Sequence, residues 1–213
     1  MTRGTAAAVA IILAALGALA AWDISALPDN KDWLLKRGNV LWEGGQGEAA
    51  LPWIDRALEV DPGFARAHSD KGLVLYDLGL HEEAIASLDR AIQIEPDSAA
   101  VIANKGWVLW GMGRNAEALS HYEEAAELDS SEAFTVSRAA ILSDLGRYEE
   151  ALALYDQIRA MNPDLPHMHL YDRAAVLVQL GRHGEALVDL ESLIEAHPWD
   201  SRALLLMEEI GGR

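Results

Sequence analysis

Residues 77–84 read DLGLHEEA, and residues 144–151 read DLGRYEEA. A glycine followed within a few positions by paired acids and an alanine describes one helix ending and another beginning. Glycine takes the left-handed backbone that terminates a helix without the steric cost a Cβ would bring. The acids suit the positive N-terminal end of the helix that follows. Sliding outward from these two stretches, Gly45, Gly79 and Gly113 stand 34 residues apart, and Gly146 and Gly181 continue the series. A small residue precedes each turn at Gly38, Gly72, Gly106, Ala139 and Ala174, and an alanine follows at Ala50, Ala84, Ala118, Ala151 and Ala186. Pro62, Pro96, Pro163 and Pro198 close four of the units, with Ser130 in the remaining place.

Each position has a physical reading. The small residue midway through the first helix and the alanine early in the second let two helix backbones approach closely. Apolar Leu41, Leu75, Leu109, Leu142 and Leu177, with Ile54, Leu88, Tyr122, Tyr155 and Leu190, recur at helical spacing and point into a shared core. The proline stops the second helix, because the residue before it is pushed out of helical dihedrals. Each unit therefore reads helix, turn, helix, stop, and a fixed period of this length marks a repeat architecture.

This pattern resembles the tetratricopeptide repeat (TPR) family. The resemblance implies an all-α, right-handed α-solenoid of five helix-turn-helix repeats at 31–64, 65–98, 99–131, 132–166 and 167–200. Residues 201–213 follow as a capping helix and tail, with Leu204 and Met207 expected to cover the fifth repeat while Leu205 and Leu206 point elsewhere as a self-association surface. In the family the first helices line a concave groove. Carried across, that groove is expected to include Asn39, Trp42, Glu43, Leu73, Tyr76 and Asp77, then Trp107, Trp110, Asp144 and Tyr171. Trp and Tyr offer large contact area and the carboxylates favour Lys or Arg, so the resemblance implies a protein or peptide partner with apolar anchors and basic flanks. The same aromatics can instead pack against neighbouring repeats. A subset of the family clamps a C-terminal carboxylate with Lys and Asn; Asn39 and Asn104 match its asparagines, but Leu35 and Ala100 stand where bases are needed.

The first residues are a separate object. Residues 1–22 carry Arg3 and then an uncharged apolar run from Thr5 to Trp22, followed by a linker over 23–30. As a helix preceding the repeats that run is about 27 Å long, against roughly 30 Å of hydrocarbon. Two readings stand open: a signal peptide cleaved near Ala20, supported by the Ala18-Leu19-Ala20 site, or an uncleaved membrane anchor with Trp22 at the interface. Either places the repeats outside the cytoplasm. Two further alternatives are a segment that resembles a type IV prepilin cleavage signal at Arg3-Gly4, with Val9 where the usual Glu would stand, and a buried N-terminal helix of a cytoplasmic protein.

Composition excludes other functions. A net charge of −17 with only four lysines repels phosphate backbones, so nucleic acid is not expected as a partner. The absence of cysteine removes disulfides, thiolate metal sites and thiol nucleophiles. His167 and His169 lie two apart on a helix and diverge, so no metal is expected. Glu82-Glu83, Glu123-Glu124 and Glu149-Glu150 read as solvated surface rather than acid and base pairs. There is no phosphate-binding glycine loop. The expectation is a binding protein without cofactor or enzymatic activity, with stacking through the solenoid ends as the structural alternative.

Overall fold

A computed structural model describes residues 30–161 and 168–212 of the chain, and all regular structure among them is helical. The helices pair as hairpins. α1 (Lys31–Glu43) and α2 (Gly47–Val60) form the first; α3 (Ala65–Asp77) and α4 (His81–Ile94) the second. α5 (Ala99–Gly111) and α6 (Asn115–Leu128), α7 (Glu132–Asp144) and α8 (Tyr148–Met161), and α9 (Met168–Gln179) and α10 (His183–Ala196) form the other three. α11 (Ser201–Gly211) comes last. The chain divides into two compact units, Met1–Pro96 and Asp97–Arg213.

In the first unit the local chemistry of the hairpin is explicit. The Asn30 side chain caps α1 by accepting a hydrogen bond from the Trp33 amide at 2.9 Å. Gly45 at φ +74° turns the chain, with its amide donating to the Trp42 carbonyl at 2.8 Å and the Gln46 amide to the Leu41 carbonyl at 2.9 Å. This is the left-handed helix stop that the sequence calls for. Gly38 lies against α2: a Cβ there would stand 2.7 Å from Ile54 Cγ1. Leu34, Leu35, Ala50, Trp53, Ile54, Ala57, Ala67 and Val74 form one buried core, with Phe64 and Leu78 packed against it. Since Ala67 and Val74 belong to α3, this core spans both repeats of the unit.

In the second unit Gly113, Gly146 and Gly181 take the same positive φ, between +71° and +75°. Ala139 and Ala174 replace the close-approach glycine and are fully buried. Tyr122 and Tyr155 fill the hairpin interiors where the first unit carries Ile54 and Leu88. The interface between the α7/α8 and α9/α10 hairpins contains a buried charge cluster. Arg173, 8% exposed, donates to Asp156 at 2.8 Å and to the 3%-exposed Asp189, which Arg159 also approaches at 3.4 Å.

The last helix corrects one expectation. Ala203 and Ile210 are the buried positions of α11, whereas Leu204 is 45% exposed and Met207 only partly buried. The helix starts at a cap in which Asp200 accepts from the Arg202 and Ala203 amides at 3.0 and 3.2 Å. Its inward stripe starts at Ala203 and recurs at Leu206, Met207 and Ile210, one face at helical spacing that leaves Leu204 outside. Leu205, at 66% exposed, is well displayed, and Leu206 is half-buried.

Candidate peptide-binding surface

In the first unit the surface is built from the C-terminal halves of α1 and α3. Gly38 and Gly72 let each first helix lie close on its second helix, which turns Asn39, Trp42 and Glu43, and then Leu73, Tyr76 and Asp77, away from that contact. Trp42 Nε1 donates to Asp77 Oδ2 at 2.6 Å, so the indole is tied to the next repeat's carboxylate. Asn39 Nδ2 donates to Asp70 Oδ2 at 2.7 Å, and its own Oδ1 is buried without a partner. Burial pushes the Asp70 carboxyl above its ordinary pKa, against the Asn39 hydrogen bond and the charge of Arg66, which pull it down. Tyr76 stacks at a tilt against His81, with ring centroids 5.5 Å apart. An open depression of about 420 Å³ lies beside these groups, lined by Asp32, Leu35, Lys36, Asn39, Val40, Glu43 and Arg66. Leu35 supplies its floor at 3% exposed rather than a basic contact.

The second unit repeats the device. Trp110 Nε1 donates to Asp144 Oδ2 at 2.6 Å, again one repeat along. Trp107, one turn earlier on α5, is 43% exposed. Tyr171 on α9 carries the Arg202 guanidinium 4.8 Å above its ring, which joins α11 to this hairpin. Burial raises the Tyr155 hydroxyl and the Asp172 carboxyl, and the negative charges of Asp172 and Asp144 push Tyr155 further up. These are neutral-favouring surroundings, set chiefly by burial.

The structure thus brings Trp42 together with Asp77 and Trp110 together with Asp144. Sequence reasoning named all four and missed that they pair. The signal was present: each aspartate stands one position past its tryptophan's register in the next repeat, 35 and 34 residues on. Asp70 and Asp172 were missed outright, because neither follows a motif and only burial distinguishes them from the other acids.

The positive charges are largely engaged within the chain. Arg114, Arg147 and Arg182, each just after a turn glycine, form two-pronged pairs with Glu117, Glu150 and Glu185 at 2.6–2.7 Å. Lys71 reaches Asp55 at 2.7 Å, and Lys31 pairs with Asp61. With these bases engaged, the net charge of −17 is expressed as outward-facing carboxylate.

The family's sequence profile, described as tetratricopeptide repeat, matches residues 4–63, 35–99, 104–166 and 137–201, and the chain belongs to this family. Among solved structures it is similar to YrrB, a TPR protein with an unusual peptide-binding site, at 22% identity and a TM-score of 0.68 over 87% of this chain and 95% of that one. It is similar to pilF of Pseudomonas aeruginosa at 19% identity and TM-score 0.75, covering 85% and 83%. MamA 41-end from Desulfovibrio magneticus RS-1 aligns at 16% identity and TM-score 0.70, covering 83% and 100%. No curated protein matches the chain in sequence. Proteins of the family bind peptides or proteins and are in general scaffolds rather than enzymes.

Among the described residues no group of three or more His, Cys, Asp or Glu is placed to hold a metal ion. His167 lies outside the described residues; His169 Nε2 stands 3.8 Å from Glu132 Oε1. Among the described residues no helix is long and apolar enough to cross a membrane. The anchor or signal segment expected over residues 5–22 lies outside them.

Proposed function

We propose that this chain is a protein-binding scaffold whose ligand is a peptide segment with apolar anchors flanked by Lys or Arg. The observation that carries this reading is the pair of tryptophan–aspartate contacts at 2.6 Å, one in each unit. An indole fixed by its N–H presents its apolar face without the loss of side-chain freedom that binding otherwise costs. The carboxylate beside it supplies the charge for a basic flank. Tyr76, Trp107 and Tyr171 extend the aromatic surface within their own units.

Calorimetric titration of the protein with synthetic peptides carrying Leu or Phe anchors and either Lys/Arg or Asp/Glu flanks tests the reading. Basic-flanked peptides are expected to bind more tightly, with affinity falling as salt rises. Equal binding of both sets, or of neither, overturns it. Trp42→Ala and Trp110→Ala are each expected to weaken binding by more than about 1 kcal/mol if those indoles are anchors.

We further propose that residues 5–22 carry the repeats out of the cytoplasm, as an anchor or as a leader cleaved near Ala20. The intact mass of the mature protein and its partition between membrane and soluble fractions decide this. A second reading, self-association through Leu205 and Leu206, is favoured by the 66% exposure of Leu205. Sedimentation that does not change with concentration, or that is unaltered by Leu205→Glu at the exposed position, excludes it.

A further inference from the structure

The outer face of α1 differs from the same face of every later first helix compared with it. Val40 is 52% exposed, while Val74, Ile141 and Val176 in its register are 0–1% exposed. Trp33 is 42% exposed, while Ala67 in its register is fully buried. Within the first unit the corresponding face of α3 is covered by α2, the second helix of the preceding repeat. Two contacts define that joint. A Cβ on Gly47 would lie 3.7 Å from Val74 Cγ1, and Asp55, eight residues further along α2, pairs with Lys71 at 2.7 Å. The second unit uses the same joint between α8 and α9, where Asp156 pairs with Arg173 at 2.8 Å.

Arg37 stands on α1 in the register of Lys71 and Arg173, immediately before the close-approach glycine. No carboxylate among the described residues pairs with it; its guanidinium lies 5.7 Å from the Trp53 ring centroid, a contact with an aromatic face in place of an ion pair. Lys36 beside it is exposed and lines the 420 Å³ depression together with Val40. Among the described residues, half of a joint that the chain makes elsewhere is therefore on display, with its base in place and neither an acid nor a helix set against it.

We propose that the Trp33–Arg37–Val40 face is a second docking surface, and that its occupant is an amphipathic helix of a partner protein carrying a carboxylate opposite Arg37 and a small residue opposite Val40. The chemistry of the occupant follows from the internal precedents. It carries a small residue about two turns before an Asp or Glu, as Gly47 precedes Asp55, on an otherwise apolar face. Its charge requirement is opposite to that of the aromatic surface, where the carboxylates belong to the scaffold. One chain can thus hold a basic segment along its first helices and an acidic helix at the outer face of the first. This inference goes beyond the peptide-binding reading and does not rest on it.

The probe is a synthetic peptide of residues 47–61 of this chain, whose own copy covers the equivalent face of α3. Titrated into full-length protein and followed by amide chemical shifts, it is expected to perturb Trp33, Arg37 and Val40 and to leave Trp107 and Trp110 unmoved. Arg37→Glu is expected to weaken it about tenfold, and the Asp55→Lys form of the peptide to restore binding to that variant. Val40→Ser is a second variant at a side chain already half in water. It is expected to weaken binding while leaving the thermal midpoint unchanged. The proposal is overturned if the peptide does not bind, if it binds with an affinity indifferent to both charge reversals, or if the face is already protected in the free protein. Protection lost on dilution would give the face to a second copy of the chain. Protection independent of concentration would give it to the chain's own residues before Asn30.

Discussion

Gly72 and Gly79 stand seven residues apart and answer to different constraints. Gly79 sits at φ +78°, where an L side chain is strained whatever space surrounds it; Gly79→Ala is expected to cost about 1–2 kcal/mol. Gly72 is helical, and a Cβ there would meet Leu88 Cγ at 2.6 Å and the Ala84 carbonyl oxygen at 3.0 Å. Because one of those neighbours is backbone, Gly72→Ala must part the hairpin, at about 1–3 kcal/mol. Urea unfolding of the two variants checks both values. Asp70 gives a prediction in pH. Its carboxyl is raised by burial, so the folded state binds a proton more readily than the unfolded chain, and this group's contribution to stability falls as pH rises through the window just above its ordinary value. Asp70→Asn is therefore expected to stabilise the protein at neutral pH, keeping the Asn39 hydrogen bond, and the gain should vanish near pH 3. A gain that persists in acid would show that the cause is packing rather than charge.

At the scale of elements, α11 tests whether the buried face of a helix is its most apolar stretch. Its sequence, RALLLMEEI, invites Leu204 inward, but the buried positions are Ala203 and Ile210. Leu204→Gln is expected to change stability by less than about 0.5 kcal/mol, and Ile210→Gln to cost about 1–3 kcal/mol, both read from denaturant midpoints. Reversed magnitudes would restore the sequence's reading. What was legible in the sequence follows from the same physics. The hairpins were legible because turn glycines, close-approach residues and stop prolines recur at fixed offsets, and each is dictated by backbone sterics local to a few residues. The buried face of α11 was not legible, because three consecutive leucines, Leu204 to Leu206, point in three directions around the helix and leave the inward phase ambiguous. The Trp42–Asp77 and Trp110–Asp144 contacts depend on how one repeat seats on the next. That seating sets side-chain distances that no window of a single repeat contains, so the residues could be named but not joined.

Across the whole molecule, charge is the dominant electrostatic fact. With 17 bases against 34 acids and many of the bases already paired, the folded chain repels itself. Raising salt from low to physiological strength is expected to raise the thermal midpoint, since screening of that repulsion outweighs the loss at exposed ion pairs, each of which contributes little. A midpoint that falls instead would mean that the Arg114, Arg147 and Arg182 forks matter more than the net charge. The joints between repeats have a different kind of consequence. Asp55 reaches forward to Lys71 and Asp156 forward to Arg173, so each of these joints carries its acid on the earlier repeat and its base on the later one. This makes the repeats directional parts, keyed like links that close only in one order. Arg138 precedes Ala139 as Arg173 precedes Ala174, so a copy of residues 132–166 inserted behind itself would offer Asp156 to a second Arg138, acid to base, whereas an out-of-phase copy would lose that match. Lengthening by duplication of whole units in register is the change such a chain tolerates, and the same keying is what a designer would keep when grafting one of its hairpins into another array.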